Sequence, residues 1–264
     1  MIYLQIMDME VFYSLLYCAF SIIFINSASA EANSDEHQQI VFQAKEIKDE
    51  KELYKRAVKG IQEVKLTNEE LPKYELKNKN TKEDVKLSHY TTSQLLKVEN
   101  DGDTEVQEFA VTTFAVTEEE TASLNSRFSV ASLNNDYLFV ADSGSKREEK
   151  WDDSISVKAV ITIYYSRITK NGVDYAKVTK ASGGWTISDS SVSLSNRKVS
   201  IGSSGWPVNS QSIEKKPTEN SWNYSTPFTW EYISLNAGHH IGANSTVTLK
   251  RGGSSWELTL NNRL

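Results

Sequence analysis

From Ile155 to Tyr165 every second residue is apolar or aromatic: Ile155, Val157, Ala159, Ile161, Ile163 and Tyr165 alternate with Ser156, Lys158, Val160, Thr162 and Tyr164. A period of two is what a β-strand imposes on its buried face. Lys170-Asn171-Gly172-Val173 follows, and Asn-Gly supplies the two positive φ angles of a tight hairpin, so residues 173–180 are predicted to return as the partner strand. A second hairpin is predicted from residues 91–99 and 104–117 about Asn100-Asp101-Gly102-Asp103. In its second arm Phe109, Val111, Thr113 and Ala115 share one face, and Ala110, Thr112, Phe114 and Val116 the other. Apolar residues on both faces predict a central strand covered on both sides.

The chain closes on a third hairpin, residues 245–250 and 254–260 across Arg251-Gly252-Gly253. Between lies the glycine- and serine-rich stretch 183–205, read as short strands at 185–188, 191–194 and 198–201, with further extended candidates at 224–226 and 231–235. Upstream the period changes: Ile47, Tyr54, Ala57, Val58, Ile61 and Val64 recur at three- and four-residue steps, which predicts an amphipathic helix over 43–65. Pro72 marks a stop after it, with extended candidates at 73–76 and 85–90. Residues 118–150, acidic at the start and mixed in charge at the end, are expected as an irregular insertion. The expected fold is mainly β, an antiparallel β-sandwich preceded by an N-terminal amphipathic helix. The expected division is a signal peptide at 1–30, a helical and mixed extension at 31–90 and the β domain at 91–264.

The leader reading rests on an apolar run from Val11 to Ile25 followed by Asn26-Ser27-Ala28-Ser29-Ala30, whose small residues suit a signal peptidase. About fifteen apolar residues fall short of the ~20 that span a bilayer, so cleavage after Ala30 and secretion are expected, with no stable membrane span afterwards. The n-region carries Asp8 and Glu10 and no base, so an uncleaved signal-anchor stands as the alternative. The leader also holds the only cysteine, Cys18, which leaves an exported chain that must fold without disulfides. Removing its two acids takes the net charge from −6 to −4. No clustered basic face offers itself to nucleic acid.

Candidate chemistry is sparse. The four histidines, His37, His89, His239 and His240, show no ligand spacing, and the adjacent pair would point to opposite faces of a strand, so no metal or cofactor is expected. No Gly-x-Ser-x-Gly elbow or phosphate loop occurs. Asp152-Asp153 imitates a carboxylate pair beside Trp151, but neighbouring acids on an extended chain diverge. No catalytic residue is therefore assigned. All six tryptophans lie beyond residue 150; Trp185, Trp230 and Trp256 sit in strand-like runs and read as core. Trp206 and Trp222, with Tyr224, lie in Gly-Trp-Pro and Asn-Ser-Trp-Asn-Tyr contexts that read as loop, and they are the candidate ligand-binding residues.

At the run 182–199 (Ser-Gly-Gly-Trp-Thr-Ile-Ser-Asp-Ser-Ser-Val-Ser-Leu-Ser-Asn-Arg-Lys-Val) the chain resembles a group of small exported proteins of Gram-positive bacteria, and residues 148–158 and 242–262 are similar as well. The resemblance covers about the last 120 residues, and it implies export and a β domain but no activity. The expected function is that of an exported, non-catalytic binding or interaction protein at or outside the cell surface, its partner a cell-wall glycan or a surface protein. The alternatives are a secreted hydrolase whose carboxylates assemble only in the fold, and a toxin-like or inhibitor protein.

Overall fold

The alternating segment becomes β6 (Val157–Lys170), and the turn at Asn171 and Gly172 returns it as β7 (Val173–Ile187). Both turn residues hold positive φ, 53° and 73°, as a two-residue hairpin of matching twist requires. The structure, a computed structural model, describes residues 38–65, 74–101, 104–117, 156–236 and 238–264. The leader at 1–30, the insertion at 118–150 and the Trp151-Asp152-Asp153 run lie outside these residues. β7 continues past the expected end at Lys180 because the pairing with β6 survives a register shift at Tyr164 and Tyr165 and runs on through Gly183 and Gly184.

The molecule is mainly β, with two antiparallel sheets of which one is curled. In the larger sheet β1 (Gln38–Gln43) pairs with β4 (Leu87–Asp101), followed by β5 (Thr104–Thr117), β6, β7 and β10 (Ser221–Ser225); β11 (Ile233–Ser234) also pairs with β7. The smaller sheet runs in the order β3 (Asp84–Val85), β2 (Tyr74–Asn78), β13 (Ser254–Arg263), β12 (His240–Arg251), β8 (Ser193–Gly205) and β9 (Val208–Lys215). Residues 38–90, expected as an extension, thus supply strands to both sheets.

The two sheets share one apolar core. Phe109, Val111, Ile161, Ile163 and Tyr165 of the larger sheet meet Ile201, Ile241, Leu249, Trp256 and Leu258 of the smaller, all essentially without exposure. Asn262 Nδ2 crosses between the sheets to donate to the carbonyls of Val111 and Ile161 at 2.9 and 3.1 Å, so this buried amide is satisfied where an apolar residue would be the default. β5 lies between β4 and β6, and residues 109–117 are buried without a break. Its Phe109 face joins the main core, and its Phe114 and Val116 face packs on a second cluster built by a helix.

That helix, α1 (Glu50–Val58), is shorter than the expected span of 43–65. Asp49 caps it by accepting from the Glu52 N–H, and Leu53, Tyr54 and Ala57 are its buried residues. The flanks are not helical, because side chains of β4 hold their backbone. Gln94 bonds both the N–H and the carbonyl of Ile47, at 2.8 and 3.1 Å; Thr92 donates to the Ile61 carbonyl at 2.7 Å; Ser93 bonds the N–H and carbonyl of Val64. Helical spacing at Ile47, Ile61 and Val64 was therefore coincidental, since each backbone has a long-range partner stronger than local propensity.

The stretch 183–205 also differs from its expected form. The strands anticipated at 191–194 and 198–201 are one strand, β8, in which Asn196 at φ 51° makes a bulge opposite Thr246 and Thr248 rather than a break. β9 was not anticipated: Val208 and Ile213 are its only apolar residues, and backbone pairing to β8 places it at the sheet edge.

Candidate functional site

A groove of about 780 Å³, within the range of small-ligand sites, lies on the face of the larger sheet that α1 partly covers. Its floor is Val160 and Thr162 of β6, in register with Gly184 and Ser182 of β7, together with Thr186. Lys48, Glu50 and Leu53 form one wall, and Thr218, Glu219, Asn220 and Ser221 the other.

Gly183 and Gly184 fix the second wall. A Cβ on Gly183 would lie 2.6 Å from the Trp222 ring, and one on Gly184 would lie 2.8 Å from the Asn220 carbonyl oxygen. Absence of both side chains lets β10 and the preceding segment close on β7. The segment is then tied twice: the Asn220 carbonyl accepts from the Trp185 N–H at 2.9 Å, and Asn220 Oδ1 accepts from Arg197 Nε and Nη2 at 3.1 and 2.6 Å. Arg197 belongs to β8, so this contact also links the two sheets.

The first wall is anchored by Tyr54, which meets Tyr90 and Phe114 edge-on at centroid distances of 5.6 and 5.3 Å. Glu50 at the start of α1 forms an ion pair with Lys158 on β6. Farther along the same sheet face Tyr164 donates to Glu46 at 2.6 Å, beneath the Lys180 ammonium 4.5 Å from its ring. Burial, with the neighbouring Glu46 second, pushes the Tyr164 hydroxyl up to about 12, so it is a neutral donor at physiological pH. Glu46 in turn lies 3.4 Å from Lys48. The charges of the first wall are thus mutually committed.

The candidate aromatic residues do not form one site. Trp222 lies in strand β10, not in a loop, and is 6 % exposed; its indole tilts against Trp185 at 6.5 Å and stacks on Tyr224 at 6.1 Å. The loop reading failed because the partner that makes 221–225 a strand, β7, is about forty residues away. Alternation of Trp222 and Tyr224 was the signal that could have found it. Trp206 is 65 % exposed in the turn between β8 and β9, where its peptide bond to Pro207 is cis and its ring tilts on Tyr175 at 6.3 Å. Tyr175 and Gly183, which lie beside Trp206 and Trp222 respectively, are about 26 Å apart along β7 at the strand rise.

The indole nitrogens of Trp185 and Trp222 are buried and have no hydrogen-bond partner among the described residues. A buried donor left so costs about 1–3 kcal/mol. Both residues line the groove. Lys48, Glu50, Thr162, Ser182, Arg197 and Asn220 were not anticipated as site residues: polar residues in five separate segments carry no motif. Among the described residues no group of three or more His, Cys, Asp or Glu could hold a metal ion. Comparison with family models, with characterised proteins and with solved structures finds no match to this chain.

Proposed function

We propose that the chain is an exported β-sandwich that binds its ligand without catalysis, at or outside the bacterial cell surface, through the groove between α1 and the 218–222 segment. The groove itself is the observation that carries this reading. It is a concavity with two anchored walls, and its floor is a rigid sheet rather than a loop. Sites on such scaffolds hold their geometry without reorganisation. A hydrolase asks for two carboxyl groups converging on one bond. The carboxylates here are Glu50, committed to Lys158, and Glu219 on the other wall. Trp206, the exposed aromatic of the original trio, is an accessory contact at most, being remote from the groove.

Export and surface binding are tested together. Secreted material should begin at Glu31 by N-terminal mass, and the purified chain should co-sediment with cell-envelope polysaccharide. Thr186→Trp, which fills the groove from an exposed position, should abolish sedimentation. Undiminished sedimentation of that variant would remove the groove from the function, and an intact Met1 would remove cleavage.

A further inference from the structure

We propose that the groove takes an uncharged, hydroxyl-rich chain, a neutral oligosaccharide segment, in preference to a polyanion; this rests on the groove being the binding site. The cations around it already have partners. Lys158 is held by Glu50, Lys48 by Glu46, and Arg197 by the Asn220 amide oxygen. Lys180 lies over the Tyr164 ring. An anionic ligand would enter beside Glu50 and Glu219 and find Lys158 and Lys48 already paired with carboxylates, with Arg197, held by a neutral amide, keeping its charge.

Hydroxyl groups, by contrast, run along the floor and the second wall: Thr162, Ser182, Thr186, Thr218 and Ser221. Each can donate and accept, which matches a ligand whose own groups do both. Two of them already take part in networks that keep spare capacity, since Thr162 shares one bond with Thr112 at 2.9 Å and Ser182 shares one with Tyr164. The Trp185 and Trp222 rings belong to the core on the opposite face of the same strands and support the floor from beneath.

The test is calorimetric titration of the full chain with uncharged gluco-, manno- and N-acetylglucosamine oligosaccharides, and with oligogalacturonate as the polyanionic probe. Saturable binding of at least one uncharged series is expected. Its Kd should change less than about twofold as salt is raised across the range where exposed charges become screened. Thr186→Trp should weaken it at least tenfold, while Trp206→Ala, remote from the groove, should retain it. A urea midpoint equal to that of the parent chain keeps the Thr186→Trp result interpretable.

Salt-sensitive binding of oligogalacturonate alone, lost in Thr186→Trp, would overturn the ligand class and leave the groove as the site. Uncharged binding that Thr186→Trp does not touch would overturn the groove reading itself. No binding by any of these probes would overturn the ligand class.

Discussion

Two ends of β7 carry two different tryptophans. At one, Trp206 stands in a tight turn with most of its surface in water, resting on Tyr175 and held through its backbone oxygen by the Ser234 N–H at 2.9 Å. At the other, Trp222 closes over a glycine, joins Trp185 and Tyr224, and becomes part of the core under the groove. Exposure of an aromatic ring is cheap to provide and easy to vary. A groove needs a floor, two walls and the ties between them, and Trp222 belongs to those ties.

The contrast can be broken most severely at Trp222. Trp222→Ala leaves a cavity above Gly183 and should cost about 3–5 kcal/mol, read as a lowered urea midpoint. A loss under about 1 kcal/mol would mean that the indole is not a packing element. Tyr54→Ala should come next, at about 3 kcal/mol, because its ring is the anchor of α1 on Tyr90 and Phe114. Groove binding should fall with it while the β signal in far-ultraviolet dichroism stays. Equal loss of helix and sheet would contradict an independently docked helix.

His89 provides a subtler check on the far side of the larger sheet. Its imidazole stacks on Tyr74 at 4.5 Å, bridging β4 to β2, and burial holds its pKa below the ordinary value of 6.5. The unfolded chain therefore takes up the proton first as pH falls through 6.5, so stability is complete above that value and declines below it until the folded form also protonates. His89→Phe should flatten this part of the urea-midpoint profile between pH 8 and pH 5.5; an unchanged slope would place the titration elsewhere. Smallest of all, Trp206→Ala should change stability by no more than about 0.5 kcal/mol and leave groove binding intact. A tenfold loss of affinity would restore Trp206 to the site.

The legible parts of the fold were those whose cause is local. Alternation named β6, the Asn171-Gly172 signal placed its turn, the Asp101-Gly102 signal announced the pairing of β4 with β5, and the double-faced pattern of 109–117 identified a central strand. What could not be read has partners far along the chain. Ile47, Ile61 and Val64 kept a helical spacing while Thr92, Ser93 and Gln94 bonded their backbone outside any helix. The groove is the same case: Glu50 and Asn220 face a common space only because Gly183 and Gly184 admit β10 to the sheet edge. Glycine and tryptophan density at 183–185 marked architecture first, and the site as its consequence.

The most direct measurement is hydrogen–deuterium exchange of the full chain with and without bound envelope polysaccharide. The account predicts slower exchange at 182–186 and 218–222, with 205–208 unchanged. Protection at 205–208 with an unaltered groove would contradict it.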